Sequence, residues 1–336
     1  VNGTARLATS DDRIWITTPV TVGSSLGAAT LDINGLSQRL SNLTFAGNSA
    51  SVVGGTLRLV NSGSVGATGT GHSISSLVTL DAATSFNVAA ASRLLVSSAI
   101  SEAGGGRSLT KTGLGILELA GQNTYSGNTT VSAGTLVVNG SLGAGALSVA
   151  SGATLMGSGT IGGIATIFGT HSPGNSPGIE TFSSNLTYAG GSSQLVWELW
   201  SNTVSNSPLA YDQIIVNADL AFTGGTSLSL DFGGSGVGTV DWDDAFWDTP
   251  QTWTLFDVGG TTTGFGNLSL TQSPSAWLDA SGQAFSASSR SANSFSVAQQ
   301  GSDVVVQYVV VPEPGALALA GLGLAAVAGA LRRRRS

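Results

Sequence analysis

The sequence predicts an all-β chain: a right-handed parallel β-helix, or solenoid, with a C-terminal β-rich cap and one C-terminal transmembrane helix. Three observations carry that prediction. Strand-like runs begin at or near Leu57, Val78, Leu95, Leu117, Leu136 and Leu155, spaced 21, 17, 22, 19 and 19 residues apart, which is the period of a solenoid rung. Charged residues make up 9% of the 336 while glycine reaches 48, against roughly 25% charge in an average soluble protein. An uncharged stretch, 315–331, runs directly into four arginines.

The rungs come first, over 1–185. Gly55-Thr56-Leu57, Gly115-Ile116-Leu117 and Gly134-Thr135-Leu136 each place a turn glycine before alternating apolar side chains, the pattern by which a strand sends one face inward. One such rung cannot bury its apolar face alone, so neighbours must stack and pair in parallel. Asn123, Asn128 and Asn139, with Gly121, Gly127 and Gly140, are turn formers expected to supply left-handed corners. Over 109–140 the text LTKTGLGILELAGQNTYSGNTTVSAGTLVVNG resembles the autotransporter-associated β-strand repeat of passenger domains, and SPGNSPGI at 172–179 resembles a phrase that follows such repeats. The resemblance implies an extended, surface-exposed, adhesin-like body. Classical autotransporters end in a membrane barrel, and this chain ends in a different signal, so self-translocation is not carried over.

Over 186–310 the runs lengthen, as in DQIIVNADLAF (212–222) and SLSLDF (227–232), and most of the tryptophans occur there. This region is read as a β-rich cap or additional wide rungs, with a separate small sandwich as the alternative. A terminal rung must be atypical to protect its open edge.

The tail is 311–336. Pro312, Glu313 and Pro314 break the last run, and 315–331 spans about 25 Å as a helix, just enough to cross a bilayer. Arg332, Arg333, Arg334 and Arg335 then hold the C-terminus in the cytoplasm, with the body on the far side. The order resembles a PEP-CTERM sorting signal. That resemblance implies an exosortase-type membrane protease that recognises Pro312, Glu313 and Pro314, cleaves nearby and releases the body from a transient inner-membrane anchor. It also implies glycosylation as a property of the class. Because the chain opens on Val1 rather than Met, it is read as processed or truncated, with any signal peptide ahead of it.

Before residue 312 there are eight basic residues against 18 acidic ones, a net charge of −10. No clustered basic face is available to a phosphate backbone, which excludes nucleic acid as a partner. With no cysteine there is no disulfide framework and no thiolate chemistry. His72 and His171 lack metal-ligand spacing and are read as loop residues. Arg58, Arg93, Arg107 and Lys111 are the basic residues of the clear rungs, too few to support a polysaccharide lyase. The one local constellation is 241–253, where Asp241, Asp243, Asp244 and Asp248 are candidate calcium ligands. Trp242 and Trp247 are candidate sugar contacts, with anchoring of the cap as the structural alternative. No other cofactor is expected. The leading expectation is an exported, non-enzymatic surface or biofilm-matrix protein, structural or adhesin-like, whose partners are exopolysaccharide or cell-surface matrix. The alternative is a carbohydrate-binding or polysaccharide-lyase-like β-helix.

Overall fold

A computed structural model describes residues 3–311, apart from 9, 13, 15, 24–26, 176, 206–209, 234–237 and 272–273. Among these residues the chain is all-β, with only short 3-10 turns besides strands. The strands stack into three sheets of 12, 13 and seven strands, and successive rungs pair in parallel. A central rung runs Thr129–Val131, Gly134–Val138 and Ser141–Leu142, and the next runs Leu147–Val149, Ala153–Gly157 and Thr160–Ile161. Each strand lies beside its equivalent one rung away. The fold is a parallel β-solenoid.

Alternation within each strand decides what enters the core. In the first sheet one inward file reads Ala50, His72, Leu94, Leu117, Leu136, Leu155, His171, Leu195, Leu228 and Leu270 in continuous register. In the second an inward file reads Val65, Phe86, Lys111, Val131, Val149, Ile167, Tyr188 and Phe222. Leu117, Leu136, Leu155, Val131 and Val149 are all fully buried, and each such side chain contributes about 1.5–3 kcal/mol.

Several expectations shift in register or cause. The six run starts do not form one file: Leu57 pairs with Val78 in the 13-stranded sheet, whereas Leu117, Leu136 and Leu155 share the first sheet. Leu95 pairs with Glu118, and its neighbour Leu94 is the inward residue. The strand Thr56–Thr68 turns a corner at Asn61 and Ser62, which have φ of 53° and 58°, so its two halves serve different faces. Gly127 and Gly140 do not occupy left-handed corners. Instead a Cβ on them would lie 2.2 Å from the Arg107 carbonyl carbon and 2.0 Å from the Gly121 carbonyl oxygen, so close stacking of rungs requires glycine there. Asn123 is buried and bridges rungs, accepting from the Ile100 N–H at 2.9 Å and donating to the Ser141 carbonyl at 2.7 Å.

Beyond residue 185 the parallel files continue through Ser193–Glu198 and Thr226–Asp231 in the first sheet and Gln213–Val216 in the third. The run 212–222 is two strands, Gln213–Val216 and Leu220–Phe222. The connections 199–212 and 232–250 between first and third sheets lengthen here. The third sheet then closes antiparallel: Asp303–Val309 pairs with both Gln251–Val258 and Ser294–Gln300. Antiparallel closure ends the parallel stacking.

Among the described residues no helix is long and apolar enough to cross a membrane. The expected helix 315–331, the motif Pro312, Glu313 and Pro314, and Arg332–Arg335 lie outside them.

Candidate functional site

The 241–253 region packs inward. Trp242, Trp247 and Trp253 are fully buried in an aromatic cluster with Phe285, Phe295 and Tyr308, with ring centroids 5.0 Å apart for Trp242–Trp247 and for Trp247–Tyr308. Each indole N–H is satisfied: Trp242 donates to the Gln283 carbonyl, Trp247 to the Asp241 carbonyl at 2.8 Å, and Trp253 to the Thr203 carbonyl at 2.7 Å. Stacking on a sugar needs an open ring face, and Trp242 and Trp247 present none.

The four carboxylates nearby are engaged separately. Asp241 Oδ1 accepts from the Asp243 N–H at 2.9 Å, and Asp243 Oδ1 accepts from the Ser289 hydroxyl at 3.0 Å. Asp244 caps the short turn Ala245–Asp248 by accepting from the Phe246 N–H at 2.7 Å. Asp248 forms an ion pair with Arg290, whose guanidinium also reaches the carbonyls of Trp242 and Asp244. Among the described residues no three His, Asp or Glu side chains gather as a metal site.

The basic residues of the rungs are also occupied. Arg58 pairs with Asp81 at 2.7 Å and Arg93 with Glu118 at 2.5 Å. Arg107 Nε donates to the Ala103 carbonyl at 3.1 Å. Lys111 points into the core and is fully buried. Its Nζ donates to the carbonyls of Thr112, Gly113 and Ala133 at 2.9, 2.7 and 3.0 Å, tying one corner to the next. Burial pushes its pKa down to about 8.

Both histidines are strand residues, not loop residues. His72 lies in His72–Ile74 and His171 in Thr170–Pro173, on the leucine file of the first sheet. The Nδ1 of His72 accepts from the Ala50 N–H at 3.2 Å, so Nε2 donates to the Thr68 carbonyl at 3.1 Å. His171 is fully buried, with Nδ1 2.6 Å from the Tyr188 hydroxyl and Nε2 on Glu180.

Sequence reasoning missed this interior cluster. Burial raises the pKa of Glu180, and the His171 charge and hydrogen bond oppose that shift. Among the described residues Glu180 Oε1 has no hydrogen-bond partner. Nearby Asp212 accepts from the N–H groups of Gly178 at 2.8 Å and Glu198 at 3.0 Å, pinning the segment after Ser172 to the strand Ser193–Glu198. Burial, and then the Glu198 carboxylate, push Asp212 up to about 9. The cluster is sealed from solvent, so its chemistry is that of a structural polar core.

Two family models match the chain. Residues 109–138 match the passenger-associated-transport-repeat, which covers the Lys111 corner and the Asn123 bridge. Residues 310–335 match the PEP-CTERM protein-sorting motif, which implies export to the envelope or surface and recognition by exosortase, a membrane protein. No curated protein matches the chain.

Proposed function

We propose that the protein is an exported, non-enzymatic surface or biofilm-matrix component, a rigid β-solenoid rod that exosortase recognises through Pro312, Glu313 and Pro314 and releases by cleavage nearby. The single observation that supports this reading is a sorting motif at 310–335 on the same chain as a passenger-type repeat. The uncharged segment 315–331 acts as a transient inner-membrane anchor, with Arg332–Arg335 cytoplasmic. Right-handed coiling of the rod follows from the handedness of parallel crossovers.

The role is geometric: the rod carries files of hydroxyls on its outer faces and works as an adhesin or matrix strut. The body's net charge of −10 repels anionic polymers unless a divalent cation bridges them, so adhesion to acidic matrix is calcium-dependent by bridging. The experiment is antibody labelling of intact cells with and without exosortase. Surface or matrix labelling that is lost without exosortase is expected. Equal labelling in both strains, or signal only in lysed cells, contradicts the proposal.

A further inference from the structure

Gly191 and Gly225 stand on successive corners, after the strands Leu186–Tyr188 and Leu220–Phe222. Their neighbours are glycine for evident reasons. Gly190 has φ +78°, and a Cβ on Gly224 would lie 2.6 Å from the Gly190 carbonyl oxygen. Gly191 and Gly225 have no such cause: a Cβ on either would meet nothing within 4 Å, and neither has a left-handed φ. Both line an open cleft of about 350 Å³, which Ser192, Gln194, Ser227 and Ser269 also wall. That volume is within the range of about 300–1,000 Å³ typical of ligand sites.

The chemistry of the cleft is narrow. No lining residue carries a charge. Its floor is fixed by buried Ser193 and Thr226, whose hydroxyls lie 2.8 Å apart. The side chains of Gln194, Ser227 and Ser269 engage no other described residue, so an amide and two hydroxyls are free to donate and accept. On the corner before, Phe168 is 39% exposed. Its Cδ1 lies 3.4 Å from where a Cβ on Gly190 would sit, so the ring rests on the backbone that leads into the cleft. Along the second sheet an uncharged outward file, Thr110, Thr130, Ser148, Thr166 and Thr187, runs in register at about 4.8 Å per rung.

We infer that this corner cleft binds a neutral polysaccharide, with Phe168 as the stacking platform and Gln194, Ser227 and Ser269 as the hydrogen-bonding groups. A sugar ring offers an apolar C–H face to an aromatic ring and hydroxyls that both donate and accept. An acidic polymer would bring a carboxylate or phosphate to a site with no cation to receive it. The inference deepens the surface role proposed above by naming a neutral matrix partner for this cleft, separate from any acidic polymer bridged by calcium, and it is tested on purified protein without calcium, apart from sorting.

The test is calorimetric titration with cellohexaose, laminarihexaose and mannohexaose, with polygalacturonate as the acidic control. At least one neutral probe is expected to bind with Kd below about 1 mM. Phe168→Ala and Gly225→Val should each weaken it about tenfold or more, while Phe168→Tyr retains it. Gly225→Val puts a branched side chain on the cleft lining where a Cβ meets nothing within 4 Å, so its thermal unfolding should match that of the parent. No binding by any neutral probe, binding that survives both substitutions, or preference for polygalacturonate would each overturn the inference. Failure here with normal surface labelling removes this site alone, whereas glycan binding without surface labelling removes the sorting proposal alone.

Discussion

Replacing Lys111 by Met tests how the repeat holds its corners. Met is unbranched and adaptable enough to occupy the inward slot between Phe86 and Val131, so the change removes the ammonium with little change in packing. Three hydrogen bonds to backbone carbonyls are lost, and the carbonyls stay behind. At about 1.5 kcal/mol for each bond to a charged group, the low end of its range, the loss is about 4.5 kcal/mol. Relief from burying the amine, whose desolvation costs several kcal/mol, offsets part of that loss. The net expectation is about 3 kcal/mol of destabilisation. Equilibrium urea unfolding followed by circular dichroism reads it across all rungs. Tryptophan emission reads mainly the later rungs, because six of the seven tryptophans lie between 197 and 277. A repeat array can unfold in parts, so the circular dichroism midpoint should fall more than the emission midpoint. A variant within about 0.5 kcal/mol of the parent by both probes would refute the corner-clamp reasoning.

Other expectations follow from the interior. His171→Leu continues the leucines on either side of it but strands Glu180 and Tyr188, so it should cost about 3–5 kcal/mol, as breaking a buried pair does. His171→Leu with Glu180→Leu should cost much less than the two singles added, a coupling that thermal unfolding of the cycle measures. Asp212 holds a proton in the folded state up to about pH 9, whereas the unfolded chain sheds it near pH 4. Its contribution is therefore complete at acid pH and falls by about 1.4 kcal/mol per pH unit as pH rises through that window. Glu180 is shifted in the same direction. Urea midpoints between pH 5 and 8 should decline, and Asp212→Asn should flatten the decline. Trp247→Ala opens a cavity in the aromatic cluster and should cost about 3–5 kcal/mol in urea unfolding, while added calcium leaves the parent midpoint unchanged.

The solenoid was legible because its signal repeats. Leu117, Leu136 and Leu155 recur at one spacing, and one strand's alternation repeats in the next. Register was harder to read: at Leu94-Leu95 both residues are apolar, and a one-residue slip exchanges inward for outward. The histidines were hidden by the same periodicity. His171 occupies a leucine slot and Glu180 shares an inward face with Phe182, so each reads as an isolated polar residue. The contact joins the first sheet to the third, and nothing in the spacing of residues 171 and 180 announces that meeting. The acidic residues 241–248 attracted notice by local density, yet Asp241 and Asp244 each accept from a backbone N–H two residues on, and the partners of Asp243 and Asp248, Ser289 and Arg290, lie more than 40 residues away. Local density did not show that each carboxylate had a separate partner.

The measurement that tests the central claim most directly is the intact mass of the protein recovered from envelope and medium of an exosortase-bearing host. The account predicts a species lacking everything beyond the Pro312 to Pro314 region, present outside the inner membrane and absent from the exosortase-deficient strain. A membrane-bound species that keeps Arg332–Arg335 in both strains would contradict it.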